Sequence, residues 1–139
     1  MKMIQVPPGE SGFPVDLHPR VLRTLLGFVS FASPFPDERI ALAHDDDGIA
    51  NGRLPNRTVN GEIIPGLFFV VRRNDAGELV DLRPEDIEKY TKLFAEPEQF
   101  PPGQWRIHTR TVEERNCCII RIISEWVADS AVNCREGSE

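Results

Sequence analysis

The chain reads as an α+β domain: a mainly antiparallel sheet of about five strands with two helices on one face, plus a C-terminal appendage. Three features predict this. Asn60-Gly61 separates two β-prone runs around Val59 and Ile63-Ile64, and Asn-Gly favours tight hairpin turns with positive φ. Leu67 to Val71 is an unbroken apolar run, expected as a central strand covered on both faces. Pro84, Glu85 and Asp86 then open a segment in which Ile87, Tyr90, Leu93 and Phe94 recur at helical spacing.

Met3 to Val6 reads as the first strand, ended by Pro7-Pro8-Gly9 and a polar turn through Gly12. Pro19 suits a helix start. Val21, Leu22, Leu25 and Leu26 share one helical face, and Gly27 is a natural stop. Phe28 to Ser33 and Arg39 to His44 follow as strands around Pro34 and Pro36. Asp45 to Gly48 reads as a turn. After Leu67 to Val71, Asn74-Asp75-Ala76-Gly77 turns the chain into a strand over Glu78 to Leu82. The proline-rich EPEQFPPG ends this unit, so residues 1–100 are expected as the core domain and 101–132 as an appendage. In the appendage Trp105, Ile107, Thr109 and Thr111 alternate with Arg106, His108 and Arg110, which predicts a strand. The part from Val112 to Ala128 fits a helix through Ile119, Ile122, Ile123 and Trp126. Its β-branched residues fit a hairpin with the Trp105 strand equally. The helix is preferred. Residues 133–139 read as a disordered tail.

A chain of 139 residues suits one domain, with 40% apolar and 27% charged residues. Twelve prolines favour short elements over a helical bundle. The net charge of −6 argues against nucleic acid, which is usually met by a basic face. No apolar run approaches the ~20 residues of a membrane-spanning helix. The opening MKMIQVPPGESG lacks a signal-type apolar core, so a cytoplasmic location with three reduced cysteines is expected.

From residue 1 to about 100 the chain resembles an uncharacterised αβ family of bacteria, phages and conjugative or plasmid elements. The resemblance rests on DDDGIANGRLPNR, then IIPGLFFVV, then DAGELVDLRPEDIEKYTKLF, with Leu54-Pro55-Asn56-Arg57 its sharpest part. Arg83 departs from the Ser- or Thr-type helix cap that relatives tend to carry. The resemblance implies a small αβ protein of mobile elements and no particular reaction.

Few residue groups carry chemistry. His44-Asp45-Asp46-Asp47 lacks the alternating carboxylates and distal Glu of a calcium loop and reads as a solvated turn. Cys117-Cys118 lacks zinc spacing. Arg72-Arg73 beside Phe68-Phe69 reads as the end of a core strand. No metal or cofactor is expected. Arg53, Asn56 and Arg57 form the candidate anion site, since the guanidinium fork suits a carboxylate or phosphate. The competing reading has Asn56 bracing its loop and Arg57 pairing with an acid of the Asp45 turn. Trp105, Ile107 and Trp126 are the candidate partner surface. The expected function is non-enzymatic: an accessory protein of a phage or mobile element that binds a host or defence protein, with homodimerisation an option. The alternative is a small-anion or nucleotide binder taking a phosphate-bearing ligand at the LPNR loop.

Overall fold

The structure, a computed structural model, describes residues 1–48, 51–100 and the strand backbones of 105–113 and 120–128. The tail expected at 133–139 lies outside the described residues. In order the elements are β1 (Lys2–Val6), β2 (Phe13–Asp16), α1 (Arg20–Leu26), β3 (Val29–Ala32), β4 (Ile40–Asp45) and β5 (Pro55–Val59). They continue with β6 (Glu62–Pro65), β7 (Phe68–Arg73), β8 (Leu79–Val80), α2 (Pro84–Leu93), β9 (Trp105–Glu113) and β10 (Ile120–Ala128).

The fold is α+β, with one six-stranded sheet in the order β2-β1-β7-β4-β3 and β8 also paired to β7. Every pairing in it is antiparallel. The apolar run became β7, the central strand, with Phe68, Phe69, Val70 and Val71 fully buried. Strand alternation sends Phe68 and Val70 to one face and Phe69 and Val71 to the other. Both faces therefore need cover, and the helices divide between them. Tyr90 and Phe94 of the α2 region pack with Ile4, Val6, Leu42 and Phe68. Leu22 and Leu26 of α1 pack with Met3, Ala41, Ala43 and Phe69. Both helices were expected on one face; instead α2 covers the face of Phe68 and Val70, with Ile64 of β6, and α1 covers that of Phe69 and Val71. Each large apolar side chain so covered contributes about 1.5–3 kcal/mol.

Local chemistry explains the ends of these elements. Gly27 stops α1 at φ 78°, donating its N–H to Arg23 O at 2.9 Å. Before α2, Arg83 has no side-chain acceptor to offer, but its own N–H is taken by Asp86 Oδ2 at 3.0 Å. The same oxygen accepts from Arg72 Nη1 at 3.0 Å, joining β7 to α2.

β5 and β6 form a separate two-stranded sheet. Asn60 (φ 50°) and Gly61 (φ 78°) supply its two-residue turn, the left-handed pair that this hairpin requires. Three further details differ from the expectations. Phe13–Asp16 is a strand, an edge held by register to β1, with Phe13 and Pro14 exposed. Asp45 is the buried last residue of β4 and not part of a solvated turn. Ile120–Ala128 is a strand and not a helix, paired in register with β9 from Ile120↔Glu113 to Ala128↔Trp105. Its β-branched residues decide between two otherwise compatible periods.

Candidate functional site

The LPNR loop enters β5 through a β-bulge. Pro55 pairs with Pro65 and Arg57 with Ile64, so Asn56 is the extra residue. The bulge breaks strand alternation, and two consecutive polar residues turn inward: Asn56 is 0% exposed and Arg57 4%. Asn56 Nδ2 donates to Val6 O at 2.7 Å and Gly66 O at 2.8 Å. Its Oδ1 accepts from Arg57 Nη1 at 2.7 Å. One amide thus ties the small sheet to the end of β1.

Arg57 is spent largely on backbone. Nη2 donates to Glu10 O at 2.6 Å and Phe94 O at 3.2 Å. Phe94 O also accepts Gly12 N–H at 2.8 Å, an approach so close that a Cβ on Gly12 would sit 3.2 Å from Phe94 Cβ. The guanidinium therefore pins the turn after β1 to the end of α2. Among the described residues Arg57 makes no salt bridge, and its Nε is buried without a partner. Burial pulls its pKa below the ordinary value, while Glu98 acts in the opposite direction.

Arg53 serves a different junction. Its Nε donates to Asp45 Oδ2 at 2.6 Å, and Nη2 donates to Leu26 O at 3.2 Å at the end of α1. Asn51 Nδ2 adds a bond to Asp45 Oδ2 at 2.9 Å. Burial alone would raise the Asp45 pKa; the bonds from Asn51, Arg53 and the Asp47 N–H, with the charge of Arg53, hold it below the usual carboxylate value. So the acid of this turn pairs with Arg53, not Arg57. Arg53 and Arg57 share no hydrogen-bond partner here, whereas Asn56 and Arg57 form one unit.

Arg57 also lines a groove of about 460 Å³ with Phe35, Thr58, Leu93, Phe94 and Glu98. Thr58 donates its N–H to Glu98 Oε1 at 2.9 Å and its hydroxyl to Glu98 Oε2 at 2.5 Å. Phe35, Thr58 and Glu98 went unnoticed in the sequence, where they are far apart and carry no shared motif.

A second surface surrounds the Asp45–Arg53 brace. Phe28 is 68% exposed and Leu54 70%, and Leu25 is exposed as well. Phe28 O accepts Asp46 N–H at 2.7 Å, and Leu54 O accepts Gly66 N–H at 2.6 Å. Both backbones are fixed while their side chains face solvent. Asp46 and Asp47 are exposed beside them, and β3 next to Phe28 is an edge of the sheet. In the appendage, the backbone register sets Trp126 opposite Ile107 and Ala128 opposite Trp105. The partner surface expected of the Trp105, Ile107 and Trp126 side chains lies outside what the structure describes.

Among the described residues no helix is long and apolar enough to cross a membrane. Among them also, no three His, Cys, Asp or Glu side chains converge as metal ligands would. No curated protein and no solved structure matches the chain. The family model described as Domain of unknown function (DUF3846) matches residues 1–95, and the chain belongs to that uncharacterised family.

Proposed function

We propose that the protein is a non-enzymatic binding module that docks another protein on the surface formed by Leu25, Phe28 and Leu54 at the β3 edge. The observation that carries this is the pairing of rigidity with exposure. Phe28 and Leu54 extend from backbones fixed by hydrogen bonds from the Asp46 and Gly66 N–H groups, and Asp46 and Leu54 directly follow the paired Asp45 and Arg53, yet the Phe28 and Leu54 side chains remain in water. Scattered exposed apolar residues need no explanation, but three around one brace, beside a strand that ends the sheet among the described residues, favour a docking surface. The exposed Asp46 and Asp47 favour a partner that brings a basic residue beside its apolar anchor. The buried polar residues Asp45, Asn56, Arg57, Arg72 and Asp86 all serve as internal braces, which supports binding over catalysis. The sequence resemblance to a family of bacteria, phages and mobile elements supports a setting in a bacterium carrying such an element, and we take the target to be a host or defence protein.

The test is affinity capture from bacterial lysate with the wild type and with a Phe28→Asp/Leu54→Asp variant shown by circular dichroism to be folded. A stoichiometric, salt-resistant partner that the variant loses is the expected result. A partner retained by the variant removes this face from the reading, and a blank with the wild type removes protein docking. A second reading, small-anion or nucleotide binding through Asn56 and Arg57, draws on one observation: the buried Nε of Arg57 has no partner, and the residue lines a groove.

A further inference from the structure

The groove beside β5 already holds an anion, supplied by the chain itself. Thr58 pairs with Ile63 in a two-residue hairpin whose flanking pair is Val59 and Glu62. Alternation then turns the Thr58 N–H away from β6, towards the free edge of the small sheet. There the Thr58 N–H and hydroxyl each take one oxygen of the Glu98 carboxylate. Two donors from one residue, aimed at the two oxygens of one carboxylate, make a bidentate cradle. Behind it lies Arg57, a cation 4% exposed that no described carboxylate neutralises by direct contact and that retains an unpartnered Nε. The walls are apolar: Phe35, Leu93 and Phe94, with Phe35 4.9 Å from the Tyr90 ring centroid behind it. A volume of about 460 Å³ falls within the range of small-molecule pockets.

We propose that this groove is a carboxylate-binding site for a small acid with an aromatic or aliphatic body, and that Glu98 is the resident carboxylate such a ligand displaces. The inference rests on the anion reading of Arg57 and extends it to a ligand class and a mode of control. One carboxylate satisfies both Thr58 donors and the field of the buried guanidinium, while the body of the ligand covers Phe35 and Leu93. Glu96 and Glu98 both line the groove, and the chain carries −6, so a multiply charged phosphate is opposed more strongly than a single carboxylate. Glu98 sits on the partly exposed Pro97–Glu98 segment after α2, so its side chain can leave the cradle for water without uncovering the core. An occupancy of the cradle by Glu98 of about nine-tenths would make an outside acid bind about tenfold more weakly than to the emptied site.

The carboxylate has two sources, a free acid or the C-terminus of a peptide, and the test separates them. The 15N-labelled full chain is titrated with 3-phenylpropionate, with an N-acetylated dipeptide ending in Phe, with neutral 3-phenylpropionamide and with inorganic phosphate. Wild type, Glu98→Ala and Glu98→Ala/Thr58→Val are compared, with Glu98→Gln in place of Glu98→Ala should the latter not fold. The expected result is a saturable shift of the Thr58 amide in Glu98→Ala with one or both carboxylates and none with the amide. The wild type should bind about tenfold more weakly. The valine variant, which keeps the backbone donor but loses the hydroxyl, should bind more weakly than Glu98→Ala. The carboxylate that binds identifies the source. Equal affinity in wild type and Glu98→Ala overturns the role given to Glu98. A Thr58 amide moved by phosphate alone overturns the carboxylate assignment while the anion reading stands. No shift with any of them overturns both.

Discussion

Replacing Asn56 with Ala is the sharpest test of how the small sheet is held. The side chain is 0% exposed and makes three bonds: to Val6 O, to Gly66 O and from Arg57 Nη1. Two are neutral and one is charge-assisted, and their removal strips three buried groups of a partner each. At about 1 kcal/mol per neutral bond and about 1.5–3 for the charged one, the loss comes to about 3–5 kcal/mol. That is a large share of the 5–15 kcal/mol typical of a whole domain. For a chain of this size it corresponds to a melting temperature lower by roughly 10–20 °C. Asn56→Asp should be no better, because a carboxylate keeps the shape but cannot donate to the two carbonyls. Urea and thermal unfolding, followed by far-ultraviolet circular dichroism, measure both variants. A loss below about 1 kcal/mol for Asn56→Ala would refute the claim that this amide joins the two sheets.

Three further outcomes are expected. Gly61→Ala places a side chain at φ 78° with no neighbour within 4 Å, so its cost is purely conformational, about 1–2 kcal/mol in a urea melt. Asp86→Ala removes the bond to the Arg83 N–H and leaves Arg72, with an 8% exposed side chain, with only the longer Asp37 contact at 3.4 Å. A loss of about 3–5 kcal/mol is expected, and Arg72→Met in the same chain should recover part of it. Asp45 has a folded pKa below its unfolded value of about 3.9, so its contribution is present above that value and lost as pH falls through the folded pKa. Stability measured by urea melts from neutral to strongly acid pH should decline less steeply in Asp45→Asn than in the wild type.

Much of the frame was legible because single residues or short runs dictate it. Asn60-Gly61 requires a hairpin, Phe68 to Val71 requires burial on both sides, and Pro84-Glu85-Asp86 starts a helix. β2 was not legible, since Phe13, Pro14, Val15 and Asp16 are held by pairing with β1 rather than by an apolar pattern. The placement of α1 and α2 on opposite faces was implicit in the apolar run but was not drawn from it. At the LPNR loop the importance of Asn56 and Arg57 could be seen, but their direction could not. A one-residue bulge turns both inward, and bulges leave no trace in local composition. Arg72 reads as a solvated strand end until Asp86, a full turn and strand later, comes to meet it. The groove was invisible for the same reason. Glu98 meets Thr58 across 40 residues of chain, once α2 has packed against β1 and β2 of the large sheet.

The sharing of β7 also sets an order of assembly. β1 and β8 lie end to end along one side of β7, pairing with Phe68–Val70 and with Arg72–Arg73, while β4 takes the other side. The opening strand can pair early with the edge strand β2, but its place inside the sheet waits for the middle of the chain. Until then the apolar residues of β1 and β4 have nothing central to close on, and nascent chains stopped before β7 should remain open to protease and chaperone. Once β7 arrives, both of its edges and both of its faces are claimed in quick succession. The pairing of the large sheet is thus concentrated in a six-residue strand.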